Sequence, residues 1–251
     1  MSAAAPTAAA LVLAGGSGSR VGAAGNKVYL PLAGRPMIAW SLRALVGAPG
    51  IGPVLLVCRA ADRGAAQHVL SDEPGWAGVE LVTGGPTRQA SELAGLRRLA
   101  PRIRTGLVDV VLVHDGARPL VSDQLVATVL RTARQVGGAV PGLPREDLVR
   151  AGIDARGRPV DWLGPAPPGL VAVQTPQGFR AGPLVDAYEE ADRCGFAGTD
   201  TASCVQRFAA GLAVRAVPGE GHNIKITYPH DLAVAERALA RFAASEELRR
   251  W

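Results

Sequence analysis

The sequence predicts an α/β protein built on a mostly parallel sheet with helices on both faces. Short apolar runs alternate along the chain with longer segments in which apolar residues recur at helical spacing. The short runs contain few polar residues, which is typical of strands that are buried on both faces. Strands that alternate with helices in this way favour a parallel sheet covered by two layers of helices.

The first part of the chain, residues 1–144, follows this alternation throughout. A helix start is marked by capping residues at Ser122 and Asp123, and a helix end by Gly47. The predicted strands are 9–15, 52–58, 78–85, 107–119 and, as a shorter one, 137–144. The predicted helices are 37–47, 63–70, 87–100 and 122–135.

Residues 145–170 interrupt the alternation. Two short pieces with alternating apolar residues flank the polar turn DARGR, residues 154–158, and this pattern predicts a β-hairpin. The prolines of PAPPG, residues 165–169, do not fit a helix. We therefore predict a single domain, residues 1–251, from which residues 145–170 project as a β-arm.

The alternation of strands and helices resumes after the arm. The apolar segments and their spacing predict two strands and three helices in this part. In chain order these are strand 169–179, helix 181–195, helix 199–210, strand 212–219 and a last helix from about 229 to 250.

Composition narrows the classes of function. Of the 251 residues, 48% are hydrophobic and 20% are charged, which suits a packed soluble domain. The formal net charge of +5 fits an anionic ligand. The arginines are dispersed and aromatic residues make up 4%, so a surface that stacks nucleic-acid bases is not predicted.

Further classes of protein are disfavoured by the cysteines, the histidines and the first residues of the chain. These classes are disulfide-linked, metal-binding, secreted and membrane-spanning proteins. The 3 cysteines form no C-x-x-C pair and predict free thiols in a reducing compartment. The 4 histidines lack the spacing of metal ligands. A secretory signal begins with basic residues, whereas the first basic residue here is Arg20. No apolar run is long enough to cross a membrane. We expect a cytoplasmic protein that binds neither nucleic acid nor membranes.

The glycine-rich segment LAGGSGSRVGAAGNK, residues 13–27, follows the first strand. It is not a dinucleotide fingerprint, because Val21 stands where the third glycine is required, and it is not an ATPase loop, because neither Ser nor Thr follows Lys27. Its glycines still allow backbone N–H groups to approach phosphate oxygens. Arg20 and Lys27 would add positive charge for phosphoryl or nucleotidyl transfer. A tight turn with two solvated cations is the alternative at this point.

Other segments place polar groups at the same edge of the predicted sheet. Asp115 ends a buried strand, where it could hold Mg²⁺ or cap the following turn. Arg88 and Ser91 enter a helix whose N-terminus can accept an anion. Lys225 is predicted at a strand end. His114 has no partner in sequence and is interpreted as structural.

In this order the segments resemble the 2-C-methyl-D-erythritol 4-phosphate cytidylyltransferase family, whose sheet is Rossmann-like. The resemblance covers most of the chain from about residue 11 to 240, and it is specific as an ordered set, whereas no single segment is. The matching segments are LAGGSGSR…NKVYLPLAGRPMIAWSL, GGPTRQASELAGL, VLVHDGARP, AVQTPQGF, GTDTAS and NIKIT.

The resemblance implies that CMP is transferred from CTP to a polyol phosphate, with release of pyrophosphate, in isoprenoid precursor biosynthesis. Arg20 and Lys27 would be catalytic, and Asp115 would hold Mg²⁺ bound with the CTP phosphates. The arm would cross to the partner in a homodimer. The implied CTP-binding residues are Ala14, Gly15, Gly16, Gly18, Gly85, Ser91, Asp115 and Gly116. The implied substrate-binding residues are Arg118, Thr175, Thr199, Asp200 and Lys225.

Two residues depart from the family pattern on the acceptor side. Leu148 stands where the arm usually carries threonine, and Pro167 stands where an arginine is usual. Arg145, Arg156 or Arg158 would have to supply the lost phosphate contact. The alternatives are therefore a CTP-dependent transferase for another polyol phosphate, such as ribitol 5-phosphate, and a non-catalytic nucleotide-binding paralogue. A nicotinamide oxidoreductase is disfavoured by the failed fingerprint.

Overall fold

The computed structural model describes residues 7–16 and 25–244. The predicted roles of Gly18 and Arg20, and the predicted end of the last helix, lie outside the described residues. The strands are β1 (Thr7–Ala14), β2 (Pro31–Leu32), β3 (Arg35–Pro36), β4 (Ile51–Cys58), β5 (Glu80–Thr83), β6 (Val108–Asp115), β7 (Gly137–Pro144), β8 (Val149–Ile153), β9 (Pro159–Pro165), β10 (Val171–Val173), β11 (Gln177–Arg180) and β12 (Ala213–Pro218). The helices are α1 (Met37–Arg43), α2 (Arg63–Ser71), α3 (Arg88–Arg104), α4 (Asp123–Val136), α5 (Ala181–Arg193), α6 (Thr201–Phe208) and α7 (Pro229–Ala244).

The central sheet is mostly parallel, as the sequence predicts. Parallel pairing joins β5 to β4, β4 to β1, β1 to β6, and β7 to β12. Strand β11 lies antiparallel between β6 and β7, and β10 is antiparallel to β7. Because β11 opposes both of its neighbours, β6 and β7 point the same way. The carboxyl ends of β1, β4 and β6 coincide, with Leu13 opposite Asp115 and Ala14 opposite Cys58.

Helices cover both faces of this sheet, which confirms the predicted architecture. Successive residues of a strand face opposite sides, so Val12 and Leu11 of β1 belong to different cores. The core around Val12 includes residues of α1, α2, α4 and α7. The core around Leu11 includes residues of α3, α5 and α6. Leucine, valine and alanine supply most of both cores, as the low aromatic content leads us to expect.

The predicted arm is an antiparallel hairpin of β8 and β9, separate from the central sheet. Its turn is closed by Asp154, whose side chain accepts hydrogen bonds from the backbone N–H groups of Arg156 and Arg158, both at 2.9 Å. Gly157 has a φ of 76°, which favours glycine at that position of the turn. Hairpin side chains are largely exposed, most of all Trp162 at 73%.

Three local predictions differ from the structure. The predicted strand 169–179 is divided into β10, which pairs with β7, and β11, which lies between β6 and β7. Helix α1 ends at Arg43 and not at Gly47, and residues 44–47 form a turn in which the N–H of Leu45 donates to the carbonyl of Leu42, three residues back, at 3.0 Å. Lys225 does not lie at a strand end, since residues 219–227 contain no strand in the described structure.

The segment that carries Lys225 is held in another way. The N–H of Ile226 donates to the carbonyl of Ala117, 2.8 Å away, in the loop that follows β6. This bond replaces a strand pairing and keeps Lys225 beside the carboxyl end of β6. Across the described ranges, the helices fall short of the length and apolarity needed to cross a membrane.

Candidate active site

A cavity of about 300 Å³ opens at the carboxyl ends of β1 and β6, the edge where ligands bind in open α/β sheets. The predicted residues brought together in its wall come from separate segments of the chain. They are Gly15 and Gly16, Lys27, Gly85 and Ser91, and Asp115 and Lys225.

Lys27 is fixed by a hydrogen-bonded loop. Asn26 caps the short turn that begins at Lys27, and the Asn26 Nδ2 atom donates to the carbonyl of Ala14 (2.5 Å) and to Asp62 Oδ2 (2.8 Å). Asp62 is held in turn by Arg59 through two hydrogen bonds of 2.7 and 2.8 Å. Lys27 is 7% exposed and forms part of the cavity wall. The hydrogen bonds of Asn26 constrain the backbone from which it extends.

Two predicted glycines have a steric reason in the fold. A Cβ atom on Gly85 would lie 2.5 Å from the Cβ of Ala90, in the first turn of α3. A Cβ on Gly116 would lie 2.2 Å from Ile38 Cδ1 and 2.9 Å from the carbonyl oxygen of Leu13. Gly85 lets the chain pass close to the start of α3 at the cavity wall, whereas Gly116 is packed beneath α1.

Asp115 is the acidic centre of the cavity. It is 6% exposed, and its two carboxylate oxygens are held separately: Oδ1 by the Arg88 guanidinium, and Oδ2 by Lys225 Nζ at 2.7 Å. Burial alone would raise the pKa of Asp115, but the charges of Arg88 and Lys225 outweigh it and lower that pKa below its usual range. The carboxylate is therefore ionised at neutral pH.

His114 and Thr175 support Asp115 from behind. The backbone N–H of Asp115 donates to Thr175 Oγ1 at 3.0 Å, and that hydroxyl lies 3.2 Å from His114 Nδ1. The other ring nitrogen of His114 lies 3.1 Å from the carbonyl oxygen of Arg118. Burial lowers the pKa of His114 to about 4, so the ring is neutral at pH 7. This arrangement fits the structural interpretation of His114.

Four predicted acceptor-side residues, namely Thr175, Arg118, Asp200 and Thr199, lie outside the described cavity wall. The Arg118 guanidinium donates to the carbonyl of Asn223 at 2.7 Å. Asp200 caps α6 and accepts the N–H of Ser203 at 2.9 Å. Thr199 is exposed beside it. Their predicted contacts with a polyol phosphate stay predictions, as does that of Thr175. The predicted contacts of Ala14 and Gly116 with CTP likewise stay predictions.

Sequence reasoning missed a buried charge pair on α3. Arg88 contacts Asp115, and its Nε atom lies 2.9 Å from Glu92 Oε1. The sequence analysis did not identify either partner. A signal was available for Glu92. Its spacing from Leu96 and Leu99 is i, i+4 and i+7, which places a glutamate on the buried stripe of the helix.

A second missed residue, Gln89, joins α3 to the loop before α6. The side-chain amide nitrogen of Gln89 donates to the carbonyl of Phe196 at 2.7 Å, and its oxygen accepts the N–H of Gly198 at 2.6 Å. The same loop leads directly into Thr199 and Asp200. The predicted nucleotide side and the predicted acceptor side are thus connected through one amide.

The donor set suits a metal ion that arrives with a phosphate ligand. Within the described ranges, no group of three or more His, Cys, Asp or Glu side chains is arranged to hold a metal. Asp115 alone offers a carboxylate in the described wall of the cavity, beside two cations. Mg²⁺ in proteins is commonly held by one or two carboxylates together with phosphate oxygens and water.

Comparison with known proteins points to one family. The family model for 2-C-methyl-D-erythritol 4-phosphate cytidylyltransferase matches residues 8–241. A protein of that name from Thermobifida fusca (strain YX) is 39% identical over 236 residues, 93% of this chain and 94% of the relative.

Solved structures agree with this match. The crystal structure of 2-C-methyl-D-erythritol 4-phosphate cytidylyltransferase from Thermus thermophilus is 33% identical, with a TM-score of 0.68 over 94% of this chain and 99% of that one. The structure of 4-diphosphocytidyl-2C-methyl-D-erythritol synthase from Anaerococcus prevotii DSM 20548 is 27% identical, with a TM-score of 0.76 over 94% and 97%.

Proposed function

The chain belongs to the 2-C-methyl-D-erythritol 4-phosphate cytidylyltransferase family, and from this premise we propose that it transfers CMP from CTP to 2-C-methyl-D-erythritol 4-phosphate and releases pyrophosphate. This reaction belongs to isoprenoid precursor biosynthesis, and we propose that the enzyme acts in the cytoplasm. The observation that carries the proposal is the cavity at the sheet edge, whose described wall includes Lys27 and the Asp115 carboxylate with its partners Arg88 and Lys225.

The charge and size of the cavity suit a nucleoside triphosphate. Its volume of about 300 Å³ lies in the range of small-molecule sites. In the described part of its wall, three cationic side chains accompany one carboxylate, so an anionic ligand is favoured. Among the described residues, the buried Nη2 of Arg88 finds no hydrogen-bond acceptor. Such an atom is rare in native proteins and is explained by a phosphate that accepts its hydrogen bond.

The reaction requires stabilisation of charge rather than a covalent intermediate. A phosphate oxygen of the acceptor attacks the α-phosphorus of CTP and forms a new P–O bond, and the bond from that phosphorus to the bridging oxygen of the β-phosphate breaks. Pyrophosphate leaves with the electron pair of that bond. Negative charge grows on the α-phosphate oxygens at the transition state, and Lys27, together with Arg20, would neutralise it.

Glycines and an acidic side chain complete the nucleotide side. Gly15 and Gly16 follow β1 at the cavity and would offer backbone N–H groups to phosphate oxygens. Gly85 and Ser91 would contact the nucleoside. Asp115 would hold Mg²⁺ bound with the CTP phosphates, and that ion would offset the charge of the triphosphate.

The arm supports assembly into a homodimer. Trp162, Ile153 and Val160 are 73%, 62% and 58% exposed on the hairpin. Clustered apolar surface of this kind marks an interaction site. We propose that a second copy of the chain covers it and that each arm completes the acceptor side of its neighbour's cavity.

One observation favours a second candidate acceptor. Leu148 and Pro167 replace the usual threonine and arginine, and two arginines near them are already paired. Arg145 forms an ion pair with Asp147 at 2.6 Å, and Arg158 forms one with Asp154 at 2.8 Å. An acceptor with other phosphate contacts, such as ribitol 5-phosphate, is the alternative.

The test is pyrophosphate release from CTP and Mg²⁺ with the two acceptors offered in parallel. Release with 2-C-methyl-D-erythritol 4-phosphate supports the proposal. Release with ribitol 5-phosphate alone would keep the transferase class and move the enzyme to another pathway. Calorimetric binding of CTP without release from either acceptor would contradict the proposal and favour the non-catalytic paralogue.

A further inference from the structure

Arg88 lies between two buried carboxylates in the floor of the cavity. One guanidinium nitrogen contacts Asp115, and Nε lies 2.9 Å from Glu92 Oε1. Glu92 is 1% exposed and does not line the cavity, so it reaches a ligand only through Arg88. The positive charge of Arg88 is shared between a carboxylate that faces the ligand and one that does not.

Glu92 is held as an acceptor by two further groups. The Tyr188 hydroxyl donates to its Oε2, and the Thr201 hydroxyl donates to its Oε1 at 3.0 Å. Burial holds the pKa of Glu92 above its ordinary value, although Arg88 and the two hydroxyls act in the opposite sense because each stabilises the carboxylate. The side chain is therefore fixed from three directions, and its position determines how Arg88 divides its charge.

The division of the Arg88 charge between two carboxylates matters because each Asp115 oxygen already has a cationic partner. Lys225 takes Oδ2 at 2.7 Å and Arg88 takes Oδ1. A divalent cation that uses Asp115 has to compete with these cations for the same oxygens. An Arg88 with no second carboxylate would direct its full charge to Asp115 and would compete more strongly.

We propose that Glu92 is a positioning residue, which draws the Arg88 guanidinium partly away from Asp115 and so leaves that carboxylate able to take a divalent cation that arrives with the nucleotide. The inference rests on the proposed function, since it assumes that Asp115 holds the metal. It predicts that removing the Glu92 charge weakens metal binding while metal-free nucleotide binding is retained.

The test measures binding in the full-length enzyme without turnover. Mn²⁺ is titrated by electron paramagnetic resonance in the presence of α,β-methylene CTP, and the analogue alone is titrated by calorimetry in EDTA. For Glu92→Gln, which keeps the shape and loses the charge, we expect the Mn²⁺ dissociation constant to rise about fivefold or more. The analogue should bind without metal within about twofold of the wild type.

Tyr188→Phe is the matched control, because it removes one hydrogen bond to Glu92 and leaves the carboxylate charge in place. We expect its Mn²⁺ dissociation constant to stay within about twofold of the wild type. Glu92→Asp is measured in parallel, since it keeps the charge but withdraws it from Arg88, and its Mn²⁺ affinity should fall at least about twofold. This variant provides the test if Glu92→Gln does not fold.

Three results would overturn the inference. The first is a folded Glu92 variant with wild-type Mn²⁺ affinity, and the second is a Tyr188→Phe loss equal to that of Glu92→Gln. The third is an equal loss of metal-free analogue binding, which would indicate a structural role alone. Pyrophosphate release by the wild type is measured separately, so a failure of the proposed reaction is distinguished from a failure of the role of Glu92.

Discussion

The cavity and the arm differ in where their side chains find partners. In the cavity, Asp115 is 6% exposed and both of its oxygens are ion-paired within the same chain. On the arm, Trp162 is 73% exposed and Ile153 is 62% exposed. The contrast teaches that the Asp115 carboxylate finds its charged partners within one chain, whereas the apolar surface of the arm remains to be covered.

Lys27→Ala probes the cavity side of this comparison and should have the largest effect. The substitution removes a positive charge from the predicted transition state, so we expect kcat to fall about 100- to 1,000-fold. The fold should persist, because Asn26 holds the loop through hydrogen bonds to Ala14 and Asp62 that the substitution leaves in place.

Steady-state kinetics and thermal unfolding check this prediction. Arg35→Ala is the matched control, since Arg35 is a half-exposed cation that pairs with Glu73 outside the cavity wall. Near-normal turnover of Lys27→Ala, or an equal loss in Arg35→Ala, would contradict the role given to the loop.

Acid should weaken the cavity before it affects the arm. His114 is fully buried with a pKa of about 4, against an ordinary value of 6.5, so the unfolded chain binds the proton more readily. The stability contributed by the neutral ring is complete above pH 6.5 and is lost as pH falls toward 4, up to about 3 kcal/mol.

Urea unfolding at several pH values measures this contribution to the free energy of unfolding. His114→Gln should flatten the dependence between pH 6.5 and 4, although its stability at pH 7 is lower. His68→Gln, which changes an exposed histidine on α2, should keep the wild-type dependence. Equal slopes for the wild type and His114→Gln would rule out this role for His114.

Trp162→Asp tests the arm side of the comparison. A charged residue in a dimer interface should raise the dimer dissociation constant about tenfold or more. Because Trp162 is exposed in one chain, the unfolding of the monomer should hardly change. Sedimentation velocity measures the assembly, and Leu107→Asp, at a 55% exposed leucine away from the arm, is the control. A wild-type monomer at micromolar concentration would refute the prediction.

Pro167→Arg should give the smallest effect. It restores the arginine that is usual in the family at this exposed position, and a guanidinium can bind a phosphate through two hydrogen bonds. We expect the KM for the acceptor to fall about threefold, with the KM for CTP unchanged. Pro168→Arg places the same charge one residue away and serves as the comparison. Equal effects of the two variants would indicate general electrostatics and no specific contact.

The sequence predicts the sheet well because its signals are local. Apolar runs, helical spacing and the turn at residues 154–158 each depend on neighbours in the chain, and the corresponding strands and helices form. The segments around Lys27, Gly85 and Asp115 could be assigned to one edge because parallel strands end together. The pairing of Arg88 with Asp115 could not be predicted, since it joins residues 27 positions apart through a tertiary contact.

The misplaced Lys225 has a similar cause. Its apolar neighbours have the alternation of a strand, but the N–H of Ile226 bonds to the loop carbonyl of Ala117 and not to an adjacent strand. Tertiary context decides whether such a short segment becomes a strand. The burial of Glu92 could be inferred from its spacing on α3, but its hydrogen-bond donors could not, because they come from α5 and α6 and the local sequence does not reveal them.

Gln89 connects the predicted nucleotide side of the cavity with the predicted acceptor side. Its amide binds Phe196 and Gly198 through both of its polar atoms, so the first turn of α3 is joined directly to the loop before α6. A nucleotide that tightens around Arg88 would pull that loop with it. Binding of the first substrate would in this way influence the position of the residues that are predicted to bind the second.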